Sequence, residues 1–506
     1  MKYTIVFGGK AGQGVNFLAD IVSLGLIEKG YYVFYSRDYQ SLIRGGHNFN
    51  TLTFSDLPVH SNNSKVNMLV CFDQETKKIH EKDLAKEAII INGEQHGNMY
   101  YAAALYKMLG IDFKILEKEI SKLKRLEENM KEAKEGYESE KRNLGFEDRK
   151  RMSNEGFMNG SQALASGAII SGLEFYYAYP MTPATPLMME LGTMQLDKNA
   201  KHKVIELENE IAVILGALGS SLVGRRAMVG TSGGGFDLMT ESLSFAGMAE
   251  IPIVVYLSQR PGPGTGVATY SSQGDLNLAL YSGHGEFQRV VIAPGNIAEC
   301  KEAVNHAFYF SQKYRIPAII LGDKNLAESK ELEEGKMKLM QIKNTITELG
   351  RFNSYERDEK KDNIATEDAS VINANFERRL KKQEDIEKEA NKLEMFKVYG
   401  NKNSKNIILG FGSTRGAIID AINVSKIDAK FIQVLFMEPF HSEAIKKELE
   451  KAKKVVIVEE NSSCKLGDLI AKKTGFIIED KNKILKYDGR AFFSDELALE
   501  LNRRLG

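Results

Sequence analysis

Short apolar runs that stop abruptly at glycine, proline or polar residues recur along this chain, alternating with stretches of helical spacing. KYTIVFGG, YYVFYS, NMLVCFD and EAIIING lie in the first part, RAMVGTS, IPIVVYLSQ and RVVIAPG in the middle, and NIILGFGSTRG and KKVVIVEEN towards the end. Runs of this length, bounded by turn formers and alternating with helices, predict α/β folding around mostly parallel sheets. At 506 residues the chain exceeds what one core fills, so about three folded units are expected.

Two charged segments interrupt the rhythm. ILEKEISKLKRLEENMKEAKEGYESEKRN is predicted to be a solvated helical connector, and the stretch holding FERRLKKQEDIEKEANKLE an exposed helix pair or partly mobile link. The expected organisation is therefore an α/β domain over 1–112, a linker over 113–158, a second α/β domain over 159–326, a linker over 327–395 and a third α/β domain over 396–506.

Lysine plus arginine and aspartate plus glutamate both total 68, so nothing in the charge balance recruits nucleic acid or an anionic membrane surface. The opening MKYTIVFGGK passes straight into a strand and a glycine turn, and no apolar run is long enough to span a bilayer. A soluble, cytoplasmic protein without nucleic-acid or membrane partners is expected. The three cysteines, Cys71, Cys300 and Cys464, are too scattered to hold a four-cysteine cluster, and Cys71 reads as a small buried hydrophobe.

Gly8-Gly9-Lys10-Ala11-Gly12-Gln13-Gly14-Val15 follows the first strand and opens a helix, where backbone N–H groups can cradle an anion. Its spacing is not GxGxxG, and Arg37 after YYVFYS would fit at most the phosphate of NADP, so a tight strand-to-helix turn is the competing reading. Arg37 together with Arg44, Gly45, Gly46 and His47 fits either a phosphate or partner site or an ordinary surface loop with satisfied arginines.

The middle of the chain is richer. Tyr179-Pro180-Met181-Thr182-Pro183-Ala184-Thr185-Pro186 follows the strand-like EFYYA, and its prolines end the strand and hold the threonines at its carboxyl end, where parallel sheets bind ligands. A purely structural proline loop is the alternative. Glu206, Glu208 and Glu210 precede an apolar helix; a carboxylate there either complements the helix dipole or, desolvated, exchanges protons with a heterocycle. Thr231-Ser232-Gly233-Gly234-Gly235-Phe236 allows close backbone approach to a ligand. Arg260, at the head of a proline- and glycine-rich loop that runs to Gln273-Gly274-Asp275, suits either a substrate carboxylate held by two hydrogen bonds or a structural ion pair.

Taken in order, YPMTPATP, ENEIAVILGALGSSLVG, TSGGGFDLMTE, QRPGPGTGVATYSSQGDL, GHGEF and VIAPG resemble the alpha subunit of the 2-oxoacid:ferredoxin oxidoreductases. GGKAGQGV and RGGHN resemble the family's gamma domain, fused here ahead of alpha, and NIILGFGSTRG to KYDGRAFF resembles its transketolase-C-like domain. The resemblance implies a gamma-like domain, a pyrimidine-binding thiamine diphosphate domain and a transketolase-C-like domain. It further implies a separate beta subunit that supplies Mg2+ and the iron-sulfur cluster.

Carried over residue by residue, the resemblance assigns Glu210 to the aminopyrimidine N1′, with Gly219 nine positions later matching the helix shared by thiamine enzymes and Glu208 as the fallback. Thr182, Arg260 and Thr269 would meet the substrate. Tyr179, Pro180, Ser232 and Gly233 would line the cofactor. The implied reaction is oxidative decarboxylation of a 2-oxoacid, with coenzyme A taking the acyl group and ferredoxin the electrons, in an (αβ)2 assembly. Pyruvate, 2-oxoglutarate and branched-chain acids all carry the carboxylate and keto group that Arg260 and Thr182 would read. Met181 stands where the family more often has isoleucine, and Lys10-Ala11 depart from its usual glycine loop, which puts a ligand at the gamma domain in question. The rival readings are an NADP-dependent oxidoreductase built on Gly8–Gly14 and Arg37, and a catalytically silent assembly subunit.

Overall fold

A computed structural model describes residues 2–40, 46–93, 95–150, 152–153, 155–335, 337–343 and 355–506. Three large sheets organise the chain. The central one runs Phe436–Glu438, Val290–Ile292, Pro317–Asp323, Ile253–Gln259, Ala227–Thr231, Phe175–Ala178, Lys203–Glu206, all parallel except the first strand. Its strands are almost unbroken Val, Ile, Leu, Tyr and Ala because helices cover both faces.

The amino-terminal sheet runs Leu84–Asn92, Val66–Cys71, Lys2–Lys10, His47–Ser55, Tyr32–Tyr39, Lys330–Leu332, Phe157–Asn159. It is not the parallel unit expected. His47–Ser55, which apolar periodicity does not reveal, lies between Lys2–Lys10 and Tyr32–Tyr39 and is antiparallel to both. Its polar residues are satisfied internally: the Thr4 and Thr53 hydroxyls are 3.0 Å apart, and Thr53 donates to Asn62 Oδ1 at 2.8 Å. Strand Tyr32–Tyr39 also continues through Arg37, which therefore does not sit in a loop beyond it.

Both charged segments do more than link. Phe113–Ile120 and Leu126–Ser139 are helices whose Leu116, Ile120 and Ala133 join the amino-terminal core, leaving charge on the outer faces. Lys330–Leu332 pairs with Tyr35 on one side and with Phe157–Asn159 on the other, so the second segment begins by extending the first domain's sheet. Among the described residues that segment then holds one long helix, Ala369–Ala390. Its Arg378 and Lys382, with Arg357, converge on the buried Glu250 at the end of helix Gly233–Ala249. A high charge density reads as solvated when its partners are distant in sequence.

The carboxyl-terminal sheet runs Phe396–Gly400, Lys430–Val434, Asn406–Phe411, Lys454–Glu459, Lys483–Leu485, and one apolar core joins it to the central sheet. The antiparallel strand Phe436–Glu438 comes from this last part of the chain and closes the central sheet's edge. Among the described residues no helix is long and apolar enough to cross a membrane.

Candidate active site

Four neighbouring strands of the central sheet end side by side, and the four segments singled out in the middle of the sequence leave from their carboxyl ends. Phe175–Ala178 runs into Tyr179–Thr182, Lys203–Glu206 leads to Glu210, Ala227–Thr231 into Ser232–Gly235, and Ile253–Gln259 into Arg260. Parallel pairing of Ala178 with both Glu206 and Gly230, and of Leu257 with Thr231, brings these ends to one edge. That edge is where open α/β sheets bind ligands.

The three glutamates part company. Glu206 and Glu208 are exposed, whereas Glu210 is 5 % exposed in the first turn of helix Glu210–Leu222. Asn209 caps that helix by accepting from the Ala212 N–H, which fixes the turn and aims Glu210 inward. Its carboxylate lies against Gly235: a Cβ added there would come within 2.6 Å of Glu210 Oε1 and 2.3 Å of Thr231 Oγ1. Only glycine fits.

Arg260 is tied to the proline loop by a 2.6 Å hydrogen bond from Nη1 to the Thr182 carbonyl. Among the described residues no carboxylate lies within 4.0 Å of the guanidinium, so the structural ion pair weighed from sequence is not formed. Burial lowers the pKa of Arg260, and nearby Asp275 opposes the shift. Asp275 is half-buried against Gly233, where an added Cβ would lie 2.8 Å from its Oδ2. Burial and then Asp237 push the Asp275 carboxyl up to about 6. The Asp275 N–H donates to Gln259 Oε1 at 2.9 Å. Two residues earlier, Gln273 exchanges hydrogen bonds with the Glu460 backbone and donates to the Phe411 carbonyl, so the carboxyl-terminal domain clamps the substrate-loop candidate.

The remaining candidates are distributed less evenly. Tyr179 and Pro180 form an exposed rim, and Thr182 is half-buried with its carbonyl, not its hydroxyl, in the observed hydrogen bond. Ser232 is fully buried and its Oγ has no hydrogen-bond partner among the described residues. Thr269 makes no hydrogen bond among the described residues, while its neighbour Tyr270 lies under the Arg490 guanidinium, 3.5 Å from the ring centroid. Sequence reasoning missed the contact roles of Gly235, Gln259, Gln273 and Asp275. Pro186, by contrast, sits in the first turn of helix Thr185–Met194, where proline lacks no hydrogen bond.

The amino-terminal motifs are not brought together. Gln13 fills the glycine loop itself, accepting from the Lys10 N–H at 2.6 Å and donating to the Phe72 carbonyl at 3.1 Å. Arg37 instead lines a cavity of about 350 Å³ with His60, Lys324, Ser413, Glu460 and Arg490, to which no residue of Gly8–Gly14 contributes. The joint phosphate site that an NADP reading requires is thus divided. His47 is buried with Nε2 2.9 Å from His80 Nε2; Arg44 and Gly45 lie outside the described residues.

Residues 166–395 match a family model described as pyruvate flavodoxin/ferredoxin oxidoreductase, thiamine diphosphate-binding, and residues 4–97 match one for pyruvate ferredoxin/flavodoxin oxidoreductase. The chain is 29 % identical to a 2-oxoacid:ferredoxin oxidoreductase alpha subunit of a Sulfolobus species, over 98 % of this chain and 96 % of the relative. It belongs to the 2-oxoacid:ferredoxin oxidoreductase family. A 175-residue stretch is 39 % identical to the 2-oxoglutarate synthase subunit KorA of Methanocaldococcus jannaschii, covering 35 % of this chain and 47 % of that one. The solved 2-oxoglutarate:ferredoxin oxidoreductase of Magnetococcus marinus, with 2-oxoglutarate, coenzyme A and succinyl-CoA bound, superposes with a TM-score of 0.89 over 100 % of both chains at 21 % identity. At that identity the match speaks for the fold. The chain thus shares the fold of the solved protein along its whole length, with the family's thiamine diphosphate-binding model over its central domain.

Proposed function

We propose that the chain is the alpha half of an enzyme that oxidatively decarboxylates a 2-oxoacid, hands the acyl group to coenzyme A and the electrons to ferredoxin, and works with a beta subunit that holds Mg2+ and the iron-sulfur cluster. The observation that carries this reading is the placing of buried Glu210 and of Arg260, bonded to the Thr182 carbonyl, at one edge of the central sheet. Thiamine diphosphate fits the residues present: one buried carboxylate faces a glycine triplet that any Cβ at Gly235 would obstruct. When bound, the cofactor supplies the nucleophilic carbon that lets the bond between the 2-oxo carbon and its carboxylate break.

In this reading Glu210 holds a proton at the aminopyrimidine N1′, where a buried carboxylate is most effective. Arg260 spends one nitrogen on the Thr182 carbonyl and keeps the rest of its guanidinium for the substrate carboxylate. Thr182 and Thr269 orient the substrate, and Tyr179, Pro180, Ser232 and Gly233 border the cofactor. The Gln273 clamp keeps the Arg260 loop in place while substrate enters.

The outer face of helix Glu210–Leu222 supports a partner chain: Ile211 and Leu215 are 47 % and 49 % exposed, one turn apart, and Gly219 continues the stripe with none of the described residues above it. Pairing of two such αβ units gives the (αβ)2 assembly.

Co-expression with a beta subunit of the family tests the proposal. The complex should reduce a viologen dye only when a 2-oxoacid and coenzyme A are both supplied. An assembled, thiamine diphosphate-loaded complex that is inert towards pyruvate, 2-oxoglutarate and branched-chain 2-oxoacids would overturn it.

A further inference from the structure

Asp275 is a half-buried carboxylate for which the reading above has no use. It follows the loop that begins at Arg260, and the two residues are held together through the strand end: the Asp275 N–H donates to the side chain of Gln259, the residue before Arg260. Its carboxylate lies over Gly233, the first residue of the 17-residue helix Gly233–Ala249. Among the described residues nothing donates a hydrogen bond to it, and it does not cap its own short helix, Leu276–Tyr281.

The charged groups that face it come from three elements. Asp237 lies one turn into helix Gly233–Ala249, Lys465 opens helix Lys465–Thr474, and Arg260 acts across more than the 4.0 Å of an ion pair. Glu210 lies beyond the same glycine triplet, against Gly235. A substrate carboxylate on Arg260 would therefore enter a site that already holds a carboxylate with no ion-pair partner within 4.0 Å among the described residues, beside a guanidinium partly committed to the Thr182 carbonyl. Like charges in a poorly hydrated site exclude one another, and the cheapest relief is a proton on one of them.

We propose that Asp275 sets the pH dependence of substrate capture: the 2-oxoacid binds Arg260 when Asp275 is protonated, so a proton is taken up together with the substrate. The proposal rests on Arg260 being the carboxylate-binding residue. Burial and Asp237 hold the Asp275 carboxyl at about 6, so above that pH capture has to recruit the proton from solvent. Binding then weakens as pH rises.

The test uses the holoenzyme with its beta subunit and oxamate, a carboxylate that cannot lose carbon dioxide, as the probe. Its affinity is measured by calorimetry in buffers of differing ionisation enthalpy, beside KM for the 2-oxoacid, from about pH 5.5 to about pH 8.5. The wild-type complex should bind up to about tenfold more weakly per pH unit above the break and take up close to one proton per site. Asp275→Asn should flatten the profile, abolish the uptake and bind at least about tenfold more tightly at the alkaline end. An unchanged slope and unchanged uptake in Asp275→Asn overturn the proposal. Should that variant fail to assemble, Asp237→Asn, at an exposed position, removes a like charge and should move the break to lower pH; a break that stays put is equally fatal. Arg260→Lys separates the two readings. If it leaves oxamate affinity intact, the carboxylate role of Arg260 has failed, whereas a crippled Arg260→Lys beside a pH-dependent Asp275→Asn disposes of the Asp275 inference alone.

Discussion

Gly235 and Glu210 occupy one another's space: a single added carbon on Gly235 would sit 2.6 Å from Glu210 Oε1. Gly235→Ala should therefore displace the carboxylate without removing it. Overpacking of this kind costs about 1 to 3 kcal/mol. We expect a lowered melting temperature and a slower exchange of the thiamine C2 proton in the assembled enzyme. Wild-type exchange in Gly235→Ala would separate Glu210 from the cofactor.

Burial distinguishes Glu210 from Glu208, which the sequence leaves adjacent in rank. Glu210→Gln should preserve assembly and slow C2 hydrogen-deuterium exchange by roughly 10² to 10⁴, the range over which positioned acid-base groups act. Glu208→Gln, at an exposed position, should leave exchange unchanged. NMR of the loaded complex reads both, and the reverse ranking would move the role to Glu208.

Arg260→Lys keeps the charge but loses both the planar fork and the bond to the Thr182 carbonyl. Losing a charge-assisted hydrogen bond is worth about 1.5 to 3 kcal/mol, or roughly ten- to a hundredfold in kcat/KM. The loss should fall on kcat/KM with the 2-oxoacid, and thiamine diphosphate affinity should hardly change. Normal kinetics with a lowered melting point would make Arg260 a purely structural tie.

Glu250 gives a pH-dependent stability with a definite sign. Burial alone would raise its pKa, but Lys382 and Arg378 overcome that and bring it from 4.5 to about 2. A depressed carboxyl stabilises the fold above its unfolded pKa and stops doing so as pH falls through the folded one. Glu250→Gln should cost about 3 kcal/mol near neutral pH, the scale of breaking a buried ion pair, and almost nothing near pH 2. Denaturant melts at the two pH values check this, and an equal cost at both would show that packing dominates.

Leu215 lies mid-helix with half its surface uncovered. Leu215→Glu should leave this chain folded, since the site is solvent-facing in it, but weaken association with the beta subunit by tenfold or more, about 1.4 kcal/mol per decade. Size-exclusion chromatography of the co-expressed pair shows it directly. A complex of unaltered stability would place the interface elsewhere.

The sequence alone determined the α/β character, the four loops that meet at the site and the family, because each is written in local terms: apolar runs that stop at glycine or proline, and motifs of fixed order. YPMTPATP and ENEIAVILGALG needed no tertiary information to be read. Strand His47–Ser55 did, because its threonines and asparagines are satisfied by partners such as Thr4 and Asn62 that are near only in the fold. The ion pairs that the second charged segment makes were hidden for the same reason: Glu250 lies more than a hundred residues from Arg378 and Lys382.

What tertiary structure alone decided was which polar groups are desolvated. Three glutamates at alternate positions look equivalent in a string of letters, yet helix geometry and the bare face of Gly235 bury only Glu210. Asp275, likewise, closes a loop in sequence and becomes a neighbour of Arg260 and Gly233 only when two strand ends and a helix start converge. Side-chain identity sets what a group can do. Its pKa and its partners depend on charge and water within a few ångströms, and those surroundings come from residues distant along the chain.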